Sequence, residues 1–242
     1  MKQKTIVITG SEGKIGKHLS VFFRKKNYKV IGLDTKVGKH SIQCDITKES
    51  QVKKKLNNIF KKNPPDILIN AASLIPKIKP FKFSNYSSKE WRKSLEVDLI
   101  GSFYVTKKCC EFFEKKNLGL IINFSSIYGI FGADQSIYGE SKKYFGYKKL
   151  EYSVSKAGVI GFTKSLSSFY KNTGIKVFCL ILGGVEVNIK NKKFSKLYFK
   201  KTIETKFITT DQICKYIDFC ISNPNTISGS CVSLNGGAET LF

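Results

Sequence analysis

The segment from Thr5 to Gly16 constrains the fold of this chain more than any other stretch. It begins with the β-branched, apolar run TIVIT, which has the composition of a buried parallel strand. Three glycines follow at intervals of three residues, and a helical pattern of apolar residues opens directly after them. A glycine-rich turn between a buried strand and a helix lets backbone N–H groups surround a pyrophosphate at the helix N-terminus. The sequence therefore predicts a dinucleotide-binding turn here.

The residues of this turn have separate predicted roles. Gly10 makes the tight turn, Gly13 lets the phosphates approach, and Gly16 lets the helix pack on the strand. Because the pyrophosphate would lie on the first turn of the helix, its neighbours also count as candidate cofactor-binding residues. These neighbours are Ser11, Lys14 and Ile15.

An acidic residue about 20 residues beyond such a turn completes the dinucleotide fingerprint. Asp34 meets this condition, at the end of the run KVIGL. Its carboxylate would accept hydrogen bonds from both ribose hydroxyls and repel a 2′-phosphate, so the sequence favours NAD over NADP. Glu12 adds to this preference, whereas Lys14 or Lys36 could pair with a phosphate.

Strands alternate with helices along the remaining chain. This order predicts an α/β fold, a Rossmann-type doubly wound parallel sheet with helices on both faces, in a single domain over residues 1–242. After the first strand, strands are predicted over 30–33, 40–43, 66–70, 118–124, 176–182 and 230–234. After the first helix, helices are predicted over 48–62, 88–116 and 152–172, with a last helix from about Asp211.

The chain is strongly basic, with 42 Lys and Arg residues against 18 Asp and Glu and a formal net charge of +24 at pH 7. The lysines are spread along the sequence, so we expect a basic surface and no specific nucleic-acid partner. No apolar run approaches the length of a membrane span, which argues against a membrane partner. Seven cysteines lack metal-ligand spacing, and no N-terminal signal pattern is present. We therefore expect reduced thiols, no metal site and a cytoplasmic location.

From Thr5 to its end, the chain resembles the short-chain dehydrogenase/reductases. The similarity is carried by the glycine turn, DIT at 45–47, NAA at 70–72, NFSS at 123–126, YSVSK at 152–156 and LGGV at 182–185. The resemblance implies contacts of the chain with the adenine, the middle and the nicotinamide end of the cofactor. The residues concerned are Asp45, Ile46, Asn70, Ala71, Ala72, Gly183 and Val185.

Hydride transfer at a hydroxyl-bearing carbon needs a group that exchanges the hydroxyl proton. A lysine four residues after a tyrosine lies on the same helical face and electrostatically favours the phenolate. In the family resembled, Tyr152 is the acid/base, and Lys156 supports it and holds the cofactor ribose. The resemblance also implies that Ser126 orients the hydroxyl or carbonyl of the substrate.

A second tyrosine competes for the catalytic role, because Tyr138 precedes Lys142 by the same four residues. It also lies 13 residues after Ser125, the separation usual in the family. We prefer Tyr152, because two glycines make the other segment a poor helix. Residues 133–151 then form an insertion beside the active site. Such an insertion is similar to that of family members from surface-sugar clusters, which work with legionaminic-acid-type pathways.

Three features depart from the usual family pattern. The middle glycine stands at Gly13, where classical members have it at the position of Lys14, a spacing closer to that of sugar-nucleotide epimerases and dehydratases. Asp98 stands where the family usually has an asparagine that relays protons through a water, and Leu182 replaces a proline. Asp98 is therefore a candidate catalytic residue that could also add negative charge near Tyr152.

The segment 185–207 has two equally supported interpretations, a substrate lid and a lysine-rich surface. As a lid, its cations would suit an anionic sugar phosphate or nucleotide sugar. These cations are Lys190, Lys192, Lys193, Lys196, Lys200 and Lys201. We thus expect an NAD(P)-dependent oxidoreductase acting on a hydroxyl or keto carbon of a sugar derivative in surface-glycan biosynthesis. The alternatives are a dinucleotide-binding protein without turnover and, less favoured, a nucleic-acid-binding protein. The resemblance implies a homodimer or homotetramer.

Overall fold

The computed structural model describes residues 3–139, 146–189 and 191–241. Seven parallel strands form one sheet in the order β3-β2-β1-β4-β5-β6-β7, so the predicted α/β fold is confirmed. The strand order reverses between β1 and β4, which in open α/β sheets marks the crevice where ligands bind. The strands are β1 (Thr5–Thr9), β2 (Lys29–Asp34), β3 (Ser41–Gln43), β4 (Ile67–Asn70), β5 (Gly119–Ser126), β6 (Ile175–Leu182) and β7 (Cys231–Leu234).

Helices cover both faces of this sheet. Helices α1 and α7 pack on one face, and α2 and α4 contribute to the core on the other. None of the helices that the structure describes is both long and apolar enough to cross a membrane. The helices are α1 (Lys14–Lys25), α2 (Glu49–Lys62), α3 (Ser88–Leu95), α4 (Ser102–Lys116), α5 (Leu150–Phe169), α6 (Lys192–Tyr198), α7 (Thr210–Ser222) and α8 (Ala238–Leu241).

The central strands are buried on both faces, which explains their continuous apolar sequence. In β1, Ile6 and Ile8 point to the face covered by α1 and α7, whereas Val7 points to the opposite face. Phe23 and Phe113 are fully buried against these two faces. The two layers of apolar packing hold the carboxyl ends of β1, β4, β5 and β6 at one edge.

Three helical segments differ from the sequence-based expectation. The helix predicted over 88–116 contains a wider π-helical turn at Glu96–Gly101, and Asp98 lies in it. Helix α5 begins at Leu150 instead of Tyr152, so the tyrosine lies inside its first turn. The segment 185–207 contains α6, whose apolar residues pack on a separate small core. A short polar helix is hard to recognise from periodicity because it spans only about two turns.

We predict that Gly16→Ala destabilises the fold by about 2 kcal/mol, because a Cβ at this position would overlap the carbonyl oxygen of Gly10. Gly161→Ala in α5 is the matched control. A Cβ there meets no atom within 4 Å, and alanine in a helix gains about 0.5–1 kcal/mol over glycine. Urea unfolding followed by circular dichroism measures both free energies of unfolding. Equal stability of the two variants would contradict the close packing of the turn.

Candidate active site

The glycine turn after β1 has the geometry of a phosphate cradle. Gly10 adopts a φ of +68°, and its N–H donates to the carbonyl of Leu33 at 2.7 Å. A Cβ on Gly10 would lie 2.7 Å from the Cα of Ala72, so glycine is needed where the loops after β1 and β4 meet. Gly13 is the N-cap of α1, and no described side chain caps this helix. Its first N–H groups and its dipole are therefore suited to a pyrophosphate.

Asp34, the last residue of β2, is held in place by backbone donors. Oδ2 of Asp34 accepts a hydrogen bond from the N–H of Glu12 at 2.9 Å, and Oδ1 accepts one from the N–H of Lys36 at 2.9 Å. The side chain of Glu12 accepts a hydrogen bond from the hydroxyl of Ser41, and that hydroxyl accepts one from Ser11 at 3.0 Å. Two carboxylates thus lie at the end of the crevice where a cofactor ribose would bind.

The residues predicted to meet the adenine and the middle of the cofactor are also ordered by local bonds. Oδ1 of Asp45 accepts hydrogen bonds from the N–H and the hydroxyl of Thr47, at 3.0 and 2.8 Å. These bonds form a tight turn that contains the buried Ile46. The N–H of Ala72 donates to the hydroxyl of Thr9 at 3.0 Å, and this bond joins the ends of β1 and β4. Ala71, between them, is half-buried.

Asn70 connects strands and helices inside the protein. Its Nδ2 donates to Oδ1 of Asn123 at 2.8 Å and to the hydroxyl of Thr106 at 3.1 Å. Asn123 in turn donates to the hydroxyl of Thr163 at 2.9 Å. This buried network joins β4 and β5 to α4 and α5. The side chain of Asn70 is therefore a structural support for the crevice.

The centre of the site is the buried ion pair between Lys156 and Asp98. Their charged atoms, Nζ and Oδ2, are 3.6 Å apart, and Nζ also donates to the carbonyl of Phe124 at 3.2 Å. Burial alone lowers the pKa of Lys156, but the carboxylate of Asp98 opposes this effect and the net pKa is raised. Lys156 therefore remains protonated at neutral pH despite being buried.

The remaining bonds of Asp98 explain how an aspartate is accommodated here. Oδ1 accepts a hydrogen bond from the N–H of Leu74 at 2.8 Å, and Oδ2 accepts one from the hydroxyl of Ser155 at 2.8 Å. The carboxylate is thus bound by the loop after β4 and by α5. Its negative charge faces the ammonium of Lys156.

A cavity of about 500 Å³ lies over the carboxyl ends of β5 and β6. Tyr152, Ser126, Gly183 and Val185 all line it, so the structure brings together residues from three separate motifs. Ser126 differs from its neighbour Ser125, whose hydroxyl donates to the carbonyl of Lys156 and fastens β5 to α5. Of these two serines, Ser126 is therefore the one that lines the cavity.

The competing tyrosine also lines this cavity, but its bonds differ. The hydroxyl of Tyr138 donates to the hydroxyl of Tyr128 at 2.6 Å, and burial raises the pKa of Tyr138. Lys142, its predicted partner, lies outside the described residues. Tyr152 instead precedes Lys156, whose Nζ is 5.8 Å from the centre of its ring.

The insertion and the segment 185–207 meet over the cavity. The ring of Phe194 in α6 lies 5.2 Å from the ring of Tyr138, and the hydroxyl of Tyr198 accepts a hydrogen bond from the N–H of Gly184 at 2.7 Å. Among the lysines predicted for the lid, Lys193 lines the cavity. Lys201 pairs with Asp134 at 3.3 Å, and Lys190 lies outside the described residues. The others, Lys192, Lys196 and Lys200, are exposed.

Sequence reasoning missed Lys148, which lines the cavity and is only 8% exposed. Its Nζ lies 4.0 Å from the centre of the Tyr152 ring. The neighbouring Lys149 instead pairs with Glu90 at 3.2 Å. Two consecutive lysines before a helix carry no signal that separates them, because their directions depend on contacts distant in sequence.

Comparisons with known proteins agree with this geometry. Residues 4–197 match the family described as short chain dehydrogenase. The chain is 28% identical over 255 residues to the 3-oxoacyl-(acyl-carrier-protein) reductase FabG of Buchnera aphidicola subsp. Schizaphis graminum, with 98% of each chain covered. It is equally similar, at 28% over 271 residues and 98% of each chain, to an uncharacterized oxidoreductase of Thermotoga maritima. A short chain dehydrogenase from Leptospira borgpetersenii, solved with bound NAD+, superposes with a TM-score of 0.85 at 28% identity, covering 98% of this chain and 93% of that one.

We predict that Asp98→Asn lowers the free energy of unfolding by about 3 kcal/mol at neutral pH, because it leaves the buried charge of Lys156 without its counter-ion. The difference from wild type should be constant well below the ordinary pKa of lysine, 10.5, and shrink above it as the folded protein loses this proton. Urea unfolding at a series of pH values measures this difference in the free energy of unfolding. Asp218→Asn, which removes an exposed partner of Lys26, is the matched control and should change little. Equal effects of the two substitutions would argue against a stabilising pair.

Proposed function

The chain belongs to the short-chain dehydrogenase family, and we propose that it transfers a hydride between a nicotinamide dinucleotide and a hydroxyl or keto carbon of a small-molecule substrate. The observation that carries this proposal is the position of Tyr152 and Ser126 at one cavity, with the protonated Lys156 beneath the tyrosine. A binding protein without turnover would need no such proton-exchanging group. The same residues argue against a protein that only senses the dinucleotide.

The residues present fit a nicotinamide dinucleotide. The pyrophosphate would lie on the glycine turn, where a Cβ on Gly10 or Gly16 would collide with backbone, and on the uncapped start of α1. Asp34 would hold the ribose, and Asp45 and Ile46 the adenine. Gly183 and Val185 line the cavity at the nicotinamide end. When bound, the nicotinamide supplies or accepts the hydride.

The side chains of the cavity would move the proton. In the reductive direction, the phenol of Tyr152 donates a proton to the carbonyl oxygen as negative charge develops there. The ammonium of Lys156 stabilises the resulting phenolate, and Asp98 keeps that ammonium charged and in place. Ser126 donates a hydrogen bond to the same oxygen and fixes the orientation of the carbonyl. In the oxidative direction, the phenolate accepts the hydroxyl proton.

We propose NAD as the preferred cofactor and an anionic sugar derivative of surface-glycan biosynthesis as the substrate. Two carboxylates at the ribose end, Asp34 and Glu12, would disfavour a 2′-phosphate. The described residues that line the cavity include no acid and two lysines, Lys148 and Lys193. The insertion 133–151 and the lid 185–207, which supply both lysines, support a substrate that is small, polar and negatively charged.

A 3-oxoacyl thioester is the second candidate substrate, because the Buchnera relative, which the chain matches over 98% of its length, is named as a reductase of that class. The two candidates differ in the charge near the reacting carbon. Assays of nicotinamide oxidation with a panel of phosphorylated or carboxylated keto-sugars and with an acetoacetyl thioester would separate them. Turnover confined to the thioester would overturn the sugar assignment.

The proposed assembly is a homodimer or homotetramer through α4 and α5. Phe103 on α4 and Val154 on α5 are 42% and 45% exposed, and Phe103 forms an edge contact with Phe162. Apolar side chains on two adjacent helices are typical of a surface covered by a second copy. All seven cysteines are free thiols and six are buried, which supports our proposal of a reducing, cytoplasmic location.

We predict that Tyr152→Phe lowers kcat by a factor of about 10² to 10⁴ and leaves the affinity for NADH within about threefold, because only the exchangeable proton is lost. Tyr138→Phe tests the competing tyrosine in the same assay. Nicotinamide fluorescence measures binding, and nicotinamide absorbance measures turnover. A larger loss of turnover in Tyr138→Phe would assign the acid/base role to the other tyrosine.

We further predict that Asp34→Asn lowers the ratio of the NADPH and NADH dissociation constants at least about tenfold, equivalent to about 1.4 kcal/mol. The substitution removes the charge that repels a 2′-phosphate. Asp211→Asn, on the surface of α7, is the control for net charge and should leave the ratio unchanged. Fluorescence titration with NADPH and NADH measures the two dissociation constants. A wild-type preference for NADPH would show that Lys14 or Lys36 determines the selectivity.

A further inference from the structure

Lys148 is a buried cation that the proposed proton transfer does not use. It lies two residues before α5, and its backbone is fixed by the side chain of Gln135. Oε1 of Gln135 accepts hydrogen bonds from the N–H groups of Tyr147 and Lys148, both at 2.8 Å. Nε2 of Gln135 donates to the carbonyl of Lys148 at 3.1 Å. This clamp holds the lysine side chain inside the cavity.

The ammonium of Lys148 is surrounded by aromatic rings. Its Nζ lies 4.0 Å from the ring centre of Tyr152, 5.6 Å from that of Tyr128 and 5.9 Å from that of Tyr138. Within the described parts of the chain, Nζ makes no hydrogen bond and no ion pair. Glu151, the acid nearest in sequence, is itself buried and accepts a hydrogen bond from Tyr86. The cation–π contacts therefore leave the hydrogen-bonding capacity of Nζ free.

A buried ammonium without a counter-ion costs free energy. Burial, together with the smaller effect of the positive charge of Lys156, lowers the pKa of Lys148 to about 8, and Glu151 opposes this change in part. Such an arrangement does not stabilise a fold, and perturbed groups of this kind cluster at sites that bind a ligand. The cavity lining that the structure describes holds no acid, so none of its residues supplies a counter-ion to Lys148.

We propose that Lys148 binds an oxyanion of the substrate, a carboxylate or a phosphate, next to the reacting carbon. This inference rests on the proposed function, because it takes the cavity beside Tyr152 as the substrate site. An oxyanion on Nζ completes the ion pair that the described residues leave open and favours the charged state of the lysine. Charge-assisted hydrogen bonds from an ammonium to such a group are among the stronger ones in proteins.

The position of Lys148 also restricts which substrates fit. Its Nζ lies over the face of the same ring whose hydroxyl would exchange the proton, so the bound oxyanion and the reacting carbonyl lie close together on one molecule. A keto acid, a sugar acid or a sugar phosphate with adjacent groups meets this condition. A 3-oxoacyl thioester has no anionic group beside its keto carbon. Lys148 would thus select for charged substrates and against thioesters.

The test measures anion binding to the protein saturated with NADH. Sodium phosphate and sodium acetate are titrated separately, against sodium chloride at equal ionic strength, by isothermal titration calorimetry. The variants are Lys148→Met, which removes the charge and keeps the length, and Lys148→Arg, which keeps the charge. Lys196→Met, on the exposed side of α6, is the matched control.

We expect wild type to bind at least one of the two anions, and the stronger binder indicates a phosphate or a carboxylate substrate. Lys148→Met should weaken this binding at least tenfold, Lys148→Arg by less than about threefold, and Lys196→Met not at all. Binding to wild type should weaken as pH rises through about 8, where Lys148 loses its proton. Among the described residues, the other titratable groups that face it are Tyr128, Tyr138, Tyr152, Lys156 and Glu151.

A structural role for Lys148 would give a different result. If the lysine serves binding, Lys148→Met melts no lower than wild type, because an unpaired buried charge is removed. A markedly lower melting temperature, or unchanged anion affinity in this variant, would overturn the proposal. If the protein binds NADH but the complex binds neither phosphate nor acetate, the proposal for Lys148 is also overturned, whereas the oxidoreductase proposal stays intact. Failure to bind NADH would instead contradict the proposed function.

Discussion

The buried ion pair between Asp98 and Lys156 is the interaction on which the candidate active site depends. It joins the π-helical turn after α3, the loop after β4 and helix α5, which are distant in sequence. Taking both charges out of water is costly, and their mutual attraction offsets this cost only when the remaining polar atoms are bonded. The N–H of Leu74, the hydroxyl of Ser155 and the carbonyl of Phe124 supply those bonds.

The parallel sheet places the two halves of the site in one crevice. The glycine turn follows β1, and Asp34 is the last residue of β2. Both lie on one side of the point where the strand order reverses. Ser126 and Gly183 lie at the ends of β5 and β6, on the other side. A dinucleotide bound across the reversal point reaches from the acidic ribose end to the basic cavity. The side-chain charge along the crevice is therefore negative at the proposed ribose end and positive at the proposed substrate cavity.

The parts of this arrangement that depend on local sequence could be predicted. The glycine turn and the position of Asp34 follow from short motifs whose geometry is decided within a few residues, and the alternation of strands and helices follows from local composition. The choice of Tyr152 over Tyr138 also used a local signal, the quality of the helix that follows. In the structure, Nζ of Lys156 lies 5.8 Å from the ring centre of Tyr152, and the catalytic role of this tyrosine stays a prediction.

The parts that depend on tertiary contacts could not be predicted. The position of Lys148 is determined by Gln135, 13 residues earlier, and by rings from three different segments. The pairing of Asp98 with Lys156 at close range could not be predicted either, because a sequence does not show which charge a buried carboxylate faces. The sequence also left open whether the lysines of 185–207 face a substrate or the solvent, and the structure separates them, because Lys193 lines the cavity while Lys201 pairs with Asp134.

The most direct test of the central interaction is an NMR pH titration of Lys156 with isotope-labelled lysine side chains, its signal assigned by its loss in Lys156→Met. The account predicts that Lys156 titrates above the ordinary lysine value of 10.5 in the wild-type protein. In Asp98→Asn its pKa should fall below the wild-type value, because burial then acts without the carboxylate. An unchanged pKa in that variant, or a wild-type pKa below 10.5, would show that Asp98 does not keep this lysine charged.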